Sequence, residues 1–288
     1  MSKQPSSSFI CKQVRSGKYY FLKRDPHFKS DVTIVCGGRE VCDSSYQIDR
    51  NDFQYQCLEY VAKGTGTLQI NGQQFPLREG VLFYYGPGVA HSIRVDKGST
   101  MVKYFVDFTG SNRDLLKDIP LSQFKPIQTA ESTSILEIYE LLHRAAKPQR
   151  NHSVQICALL LEMLILRAKE LAVPQVAIDS PSWSSYQICC KYIESNFLKL
   201  RELSEVATAC GVSKEYLCRL FNKYHTCSAY QFLTQLKMAH AASLLVRPGH
   251  LVKEAAAAVG FEDAYHFSKA FKRVNKVSPE QFRKRQPL

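Results

Sequence analysis

A chain of 288 residues has room for about two domains, each large enough to bury a core without staples. With 45% hydrophobic and 22% charged residues it has the composition of an ordinary soluble globular protein, and 38 Lys and Arg against 26 Asp and Glu give a net +12 that points to an acidic partner, nucleic acid or a membrane surface. Secretion and membrane spanning are disfavoured: the start, MSKQPSSSFICKQ, lacks a signal peptide's apolar core, and the longest apolar run, ICALLLEMLIL, is eleven residues with Glu162 inside it.

In chain order, the first ordered region reads as strands. DVTIVCGG, QYQCLEYVAKG, TGTLQING, QQFPLREG, VLFYYGPG, HSIRVDKG and STMVKYFVDFTG are short, rich in Val, Ile, Tyr, Phe and Thr, and punctuated by Gly at about ten-residue spacing. This pattern predicts a β-sandwich or small barrel, and Asn71-Gly72 suits a tight hairpin because both residues tolerate positive φ.

After Pro126 the periodicity becomes helical, in ESTSILEIYELLHRAA and then NHSVQICALLLEMLILRAKELA. The second segment is apolar nearly all round, with Val154, Ile156, Leu159, Leu160, Met163, Leu164, Leu166 and Leu171. Such a helix needs cover on both sides, either from its own domain and a second copy of the chain or from two contacts within one chain. VPQVAIDSPSWSS, residues 173–185, has two prolines and no periodicity and reads as a linker.

Beyond Ser185 every segment is helical, and this third holds most of the basic excess: 16 Lys and Arg against 8 Asp and Glu, compared with 22 against 18 in residues 1–185. It is also internally repeated. In LRELSEVATACGVSKEYLCRLFNKY, Ala207 precedes Gly211 by four residues; in LVKEAAAAVGFEDAYHFSKAFKRV, Ala256 precedes Gly260 by four. A small residue where two helices cross, a Gly for the turn and apolar positions closing the angle make a helix-turn-helix. Two of them 49 residues apart, joined by a long helix in SAYQFLTQLKMAHAASLLV, are a much stronger signal than one.

The segment GFEDAYHFSKAFKRVNKVSPEQFRK, with its Gly-Phe, its Phe-x-x-x-Phe and Ser278-Pro279 before Phe282-Arg283, resembles the AraC/XylS family of transcription regulators. Two positions depart from that pattern: Lys276 stands where the family usually has Gly before the turn, and Thr226 stands at the equivalent place in the first repeat, which suggests a locally different backbone at both. LEYVAKGTGTLQINGQQFPLREGVLFYYGPGVAHSIRV is similar to the family's cupin-type sensor domain. The expected architecture is therefore α+β: a cupin-like β-barrel over residues 1–128, a helical dimerisation segment over 129–172, the linker over 173–185, and an all-α double helix-turn-helix domain over 186–288. The resemblance implies a cytoplasmic regulator, likewise a homodimer, that binds double-stranded DNA, answers to a small carbohydrate-like effector, meets RNA polymerase and has no membrane partner.

Recognition helices should begin after Ser213 and Asp263, both good N-caps. Their outward faces would carry Glu215, Cys218, Arg219 and Asn222 in the first and Ala264, Tyr265, Ser268 and Lys269 in the second, toward base edges. Arg219 can address guanine with two bonds, and Glu215 can accept from cytosine. Lys214, Lys223, Lys272 and Arg273 suit phosphates. The alternative for any one of these polar residues is plain solvent exposure.

In the β-domain, Tyr55, Glu59, Lys63, Tyr84, His91, Ile93, Lys103 and Phe105 lie around the expected barrel mouth. The resemblance to sugar-sensing members places Lys63, Ile93, Lys103 and Phe105 at ligand-contacting positions; the alternative for Ile93 and Phe105 is core. With Tyr84 and His91 these six form the expected ligand set. A metal-dependent cupin enzyme needs two neighbouring His, a carboxylate and a third His, and this region offers only His91 after residue 27. No catalytic residues, metal or cofactor are therefore expected. The ten cysteines are scattered without a CxxC pair and read as free thiols, and the adjacent Cys189-Cys190 are poorly arranged to chelate one ion. The competing readings are a cupin enzyme with a DNA-binding appendage and a constitutive DNA binder whose β-domain serves only assembly.

Overall fold

Side-chain alternation in the first hundred residues builds two antiparallel sheets. The computed structural model describes residues 13–22, 31–110, 120–147, 152–173, 178, 180–247 and 249–284. Strands β1 (Val14–Phe21), β2 (Val32–Cys42), β3 (Gln47–Arg50), β4 (Gln56–Lys63), β5 (Gly66–Ile70), β6 (Gln73–Leu77), β7 (Val81–Tyr85), β8 (His91–Val95), β9 (Met101–Gly110), β10 (Ile127–Thr129) and β11 (Ala172–Val173) form a large sheet in the order β1-β2-β9-β4-β7-β10-β11 and a small one in the order β3-β8-β5-β6. Asn71 and Gly72, at φ of 48° and 74°, close the hairpin that pairs Ile70 with Gln73.

The large sheet is covered on both faces, which is why β4 and β7 lack the polar alternation of a half-exposed strand. Cys57, Val61, Phe83, Tyr85, Met101 and Phe105 face the small sheet and meet Ile48, Leu68, Ile70, Ile93 and Val95 there. Leu58, Tyr60, Leu82, Tyr84, Val106 and Phe108 face a helical hairpin made of α1 (Ser132–Ala146) and α2 (Ser153–Leu171). Segment 129–172 thus shares one core with the barrel, and the chain divides after Pro174.

α2 buries Cys157, Ala158, Leu161, Leu164, Ile165, Ala168 and Leu171 in that core. Its opposite side shows Ile156, Leu159, Met163 and Leu166 to solvent, a stripe spaced three, four and three residues.

In the unit Gln175–Leu288, helices α3 (Pro181–Asn196), α4 (Leu203–Ala209), α5 (Lys214–Tyr224), α6 (Ala229–Leu245), α7 (Val252–Ala258), α8 (Ala264–Asn275) and α9 (Pro279–Lys284) follow in order. The expected linker, 173–185, is shorter than read: Val173 belongs to β11, and α3 starts at Pro181, a residue whose fixed φ suits the first helical position. The Ser180 hydroxyl accepts from the Trp183 N–H, and Trp183, 2% exposed, packs with Tyr186 and edge-on to Tyr224. Both expected turns are present, with Gly211 at φ 66° and Gly260 at φ 77°.

At the two departures from the family pattern the helices end in different conformations. Lys276 takes the left-handed conformation itself, at φ 64°, closing α8 by its N–H to the carbonyl of Lys272. In the first repeat the chain leaves α5 through His225 in an extended conformation, φ −120°.

Candidate nucleic-acid interface and effector cavity

The recognition helices are started by the residues the sequence pointed to. Ser213 Oγ accepts from the Tyr216 N–H at 3.1 Å, and Asp263 Oδ1 from the Tyr265 N–H at 2.8 Å. Each helix buries one face, Leu217, Leu220, Phe221 and Tyr224 in α5 and Phe267 and Phe271 in α8. That leaves Lys214, Glu215, Arg219, Asn222 and Lys223 exposed in α5, with Cys218 half-buried, and Ala264, Tyr265, Lys269, Lys272 and Arg273 exposed in α8, with Ser268 half-buried.

Arg219 lies 5.5 Å from the Tyr216 ring and Lys223 4.9 Å from the Tyr224 ring, cation–ring contacts that help to orient both side chains. The Glu215 carboxyl is held below its ordinary range by its own backbone N–H and the Ser213 hydroxyl, so it stands as an ionised acceptor. A groove beside α8 is lined by Tyr230, Phe261, His266, Lys269, Lys272 and Arg273. Tyr230, 56% exposed at the start of α6, was not among the expected contacts; an exposed aromatic beside a basic helix was its only signal.

Between the two sheets lies a buried ionic cluster. Lys103 Nζ sits 2.9 Å from Glu40 Oε2 and 2.7 Å from Glu59 Oε2, all three side chains being at most 4% exposed. The Tyr19 hydroxyl donates to Glu40 at 3.1 Å and the Tyr85 hydroxyl to Glu59 at 2.7 Å. The ammonium also lies over the rings of Tyr46 and Phe105, at 5.3 and 5.6 Å. Burial alone would raise the Glu59 pKa, but the Lys103 ammonium outweighs it and holds the carboxyl below its ordinary value; burial would lower Lys103, but Glu40 and Glu59 raise it well above.

Asp107 completes the cluster. Its Oδ2 accepts from the Cys36 thiol at 3.3 Å, its Oδ1 has no hydrogen-bond partner among the described residues, and burial pushes its pKa up to about 6. Nearby, His91 stacks on Tyr85 at 3.8 Å, with Nδ1 2.8 Å from the Val89 carbonyl. A carbonyl only accepts, so Nδ1 carries the proton and Nε2, buried without a partner among the described residues, is an acceptor; burial lowers the ring's pKa.

The cavity among Glu40, Tyr46, Ile48, Arg50, Glu59, Tyr85, Lys103, Phe105 and Asp107 has a volume of about 20 Å³, room for one water. Of the six expected ligand residues, Lys103 and Phe105 line it and His91 stacks on its wall. Lys63 does not: it is exposed at the end of β4, past a bulge between Val61 and Lys63. Tyr84 does not either, because successive strand residues face opposite sides; it donates to Gln56 Oε1 at 2.8 Å and stacks on Phe124. Ile93, fully buried between the sheets, is core. Glu40, Arg50 and Asp107 were missed, and their signal was a charge at an inward position of an apolar strand. No group of His, Cys, Asp or Glu among the described residues is placed to hold a metal, and none of their nine cysteines is in a disulfide.

A cupin-like β-domain followed by two helix-turn-helix units defines a DNA-binding transcription regulator. The AraC-like ligand binding domain profile matches residues 37–165 and the helix-turn-helix domain profile residues 206–285, and the chain belongs to the AraC family. Over 258 residues it is 24% identical to the lactose operon transcription activator of Staphylococcus xylosus, covering 88% of this chain and 92% of that one. It is 23% identical over 258 residues to the Msm operon regulatory protein of Streptococcus mutans, covering 88% and 93%. It is 24% identical over 277 residues to the raffinose operon transcriptional regulatory protein RafR of Pediococcus pentosaceus, covering 93% and 98%. These relatives are regulators, not enzymes.

Proposed function

We propose that this regulator responds to a carbohydrate-like effector taken up between the two sheets of its β-domain. The observation that carries this reading is the buried polar cluster. Carboxylates on β2, β4 and β9, a lysine, an arginine and the rings of Tyr46, Tyr85 and Phe105 converge on one point, with acceptors at Asp107 Oδ1 and His91 Nε2 left over. Carboxylates accept from sugar hydroxyls, cations donate to them, and aromatic faces cover their C–H groups. The names of the lactose and raffinose operon relatives support the same class. An effector acts by binding one state of the protein better than another.

The bare stripe Ile156, Leu159, Met163 and Leu166 supports a homodimer formed along α2, because alternating three and four spacing is that of a two-helix seam. The DNA contacts proposed are Glu215, Cys218, Arg219, Asn222, Ala264, Tyr265, Ser268 and Lys269 toward bases and Lys214, Lys223, Lys272 and Arg273 toward phosphates. A cytoplasmic setting with RNA polymerase as a further partner completes the reading; no described helix is long and apolar enough to cross a membrane.

The test is a thermal-shift screen of the full chain against neutral sugars and sugar acids, followed by operator binding with each hit. A ligand bound only by the folded chain at 100 times its Kd adds about 2.7 kcal/mol. A panel that moves neither melting nor operator affinity would favour a β-domain that serves assembly alone.

A further inference from the structure

The long helix α6 packs on α3 and α5 of the first helix-turn-helix unit and on α7, α8 and α9 of the second. Lys237, at its middle, is 6% exposed and is the only charged side chain buried in the helical unit among the described residues. A methionine would fill the same space without the desolvation that a buried ammonium suffers. The surroundings of that ammonium come from both units. It lies 3.5 Å from the point where a Cβ on Gly260 would stand, at the turn of the second unit, and 5.9 Å over the ring of Phe261. The Leu198 carbonyl, at the end of the first unit's α3, is 3.9 Å from that same point. Burial lowers the lysine's pKa, while Glu205 of the first unit raises it and Arg201 lowers it. Arg201 in turn pairs with Glu262 of the second unit at 3.5 Å.

We propose that Lys237 is a positioning residue that fixes the offset between the two recognition helices, and with it the spacing of the two DNA sequences the chain reads. The inference rests on both helices entering one duplex. Successive major grooves on one face of DNA are one helical turn apart, and each added base pair moves the second groove by about 3.4 Å and rotates it by about 34°. Apolar contacts along α6 are non-directional and by themselves select an offset less sharply than a directional contact does. An ammonium placed over the ring and turn of one unit, in the field of Glu205 of the other, has a favoured position, and the exposed Arg201–Glu262 pair acts in the same sense across the same seam.

The experiment compares the full wild-type chain with Lys237→Met and Lys237→Arg. Each is used to select from a DNA library in which the two preferred sequences are separated by spacers one or two base pairs shorter or longer. Wild type should recover a single spacing. Lys237→Met should recover neighbouring spacings too, with discrimination reduced by about tenfold, the scale of a contact-level coupling, while the preferred bases within each sequence stay unchanged. Lys237→Arg should restore the single spacing. Thermal melts establish that the variants are folded. If Lys237→Met is not, Glu205→Gln takes its place: it keeps the bonds from the backbone N–H groups of Arg201 and Glu202 to Oε1 and removes the charge. A folded variant of either kind that recovers only the wild-type spacing overturns the role of Lys237. A wild-type chain indifferent to spacing overturns the inference together with the two-helix reading on which it rests.

Discussion

Lys103 neutralises two buried carboxylates, so its removal should cost more than one contact. Lys103→Met leaves Glu40 and Glu59 buried and unpaired, and urea unfolding should show a loss of about 3–5 kcal/mol, most of it recovered when both glutamates are also changed to Gln. Asp107 works in the opposite sense. Its folded pKa of about 6 lies above the ordinary carboxylate value, so the native state binds more protons between about pH 4 and 6 and the protein loses stability as pH rises through that window. The wild type should lose about 3 kcal/mol across it relative to Asp107→Asn, measured as unfolding free energy against pH. A slope unchanged by the substitution would refute the assignment. Lys103 and Phe105 could be singled out in the sequence through the resemblance, and His91 through its place at the expected barrel mouth. Of their partners Glu59 was already placed at the expected barrel mouth, but Glu40 and Asp107 could not be, because they reach the cluster through strand pairings far apart in the chain.

At the scale of elements, helix starts and turns were the most legible features, since Ser213, Asp263, Gly211 and Gly260 act within a few residues of themselves. Strand faces were less so. Tyr84 and Tyr85 are adjacent aromatics in a strand buried on both sides, and nothing local says which one turns toward the cavity. The start of α3 was hidden because Pro181 ends most helices but opens this one. The two apolar sides of α2 were legible, and the structure separates the covered side from the bare one. Leu159→Lys, 65% exposed in the wild type, should abolish self-association in sedimentation at micromolar concentration and leave the melting of the monomer nearly unchanged. The recognition helices differ in the same checkable way. α5 offers Glu215, Arg219 and Asn222 for directional bonds to bases, so Arg219→Ala should weaken specific binding roughly tenfold to hundredfold and relax preference at one or two base pairs. Lys269→Ala should weaken binding with less change in base preference, because its single mobile ammonium makes no bidentate bond to a base. Site selection with both variants decides between these roles.

For the molecule as a whole, the uneven division of charge already separated the two tasks, with the excess of Lys and Arg concentrated after Tyr186. Operator affinity of the full chain should therefore fall steeply with salt. Replacing Lys272 and Arg273 together by Ala should reduce the magnitude of the slope of log K against log salt by about 2, since each phosphate contact contributes about 0.9. An unchanged slope would take both residues off the phosphate backbone.

The cavity at the Lys103 cluster has room for one water, yet the proposed effector is many times larger. Entry then requires the sheets to part first, and this has a kinetic signature. The rate of effector uptake should rise with concentration and level off at the opening rate of the barrel, and the apparent affinity should be weakened by the fraction of time the barrel spends closed. A substitution that loosens the Lys103 bridge without touching the effector would tighten binding by populating the open state, so the ion pair that stabilises the fold would also set the effector concentration at which the regulator responds.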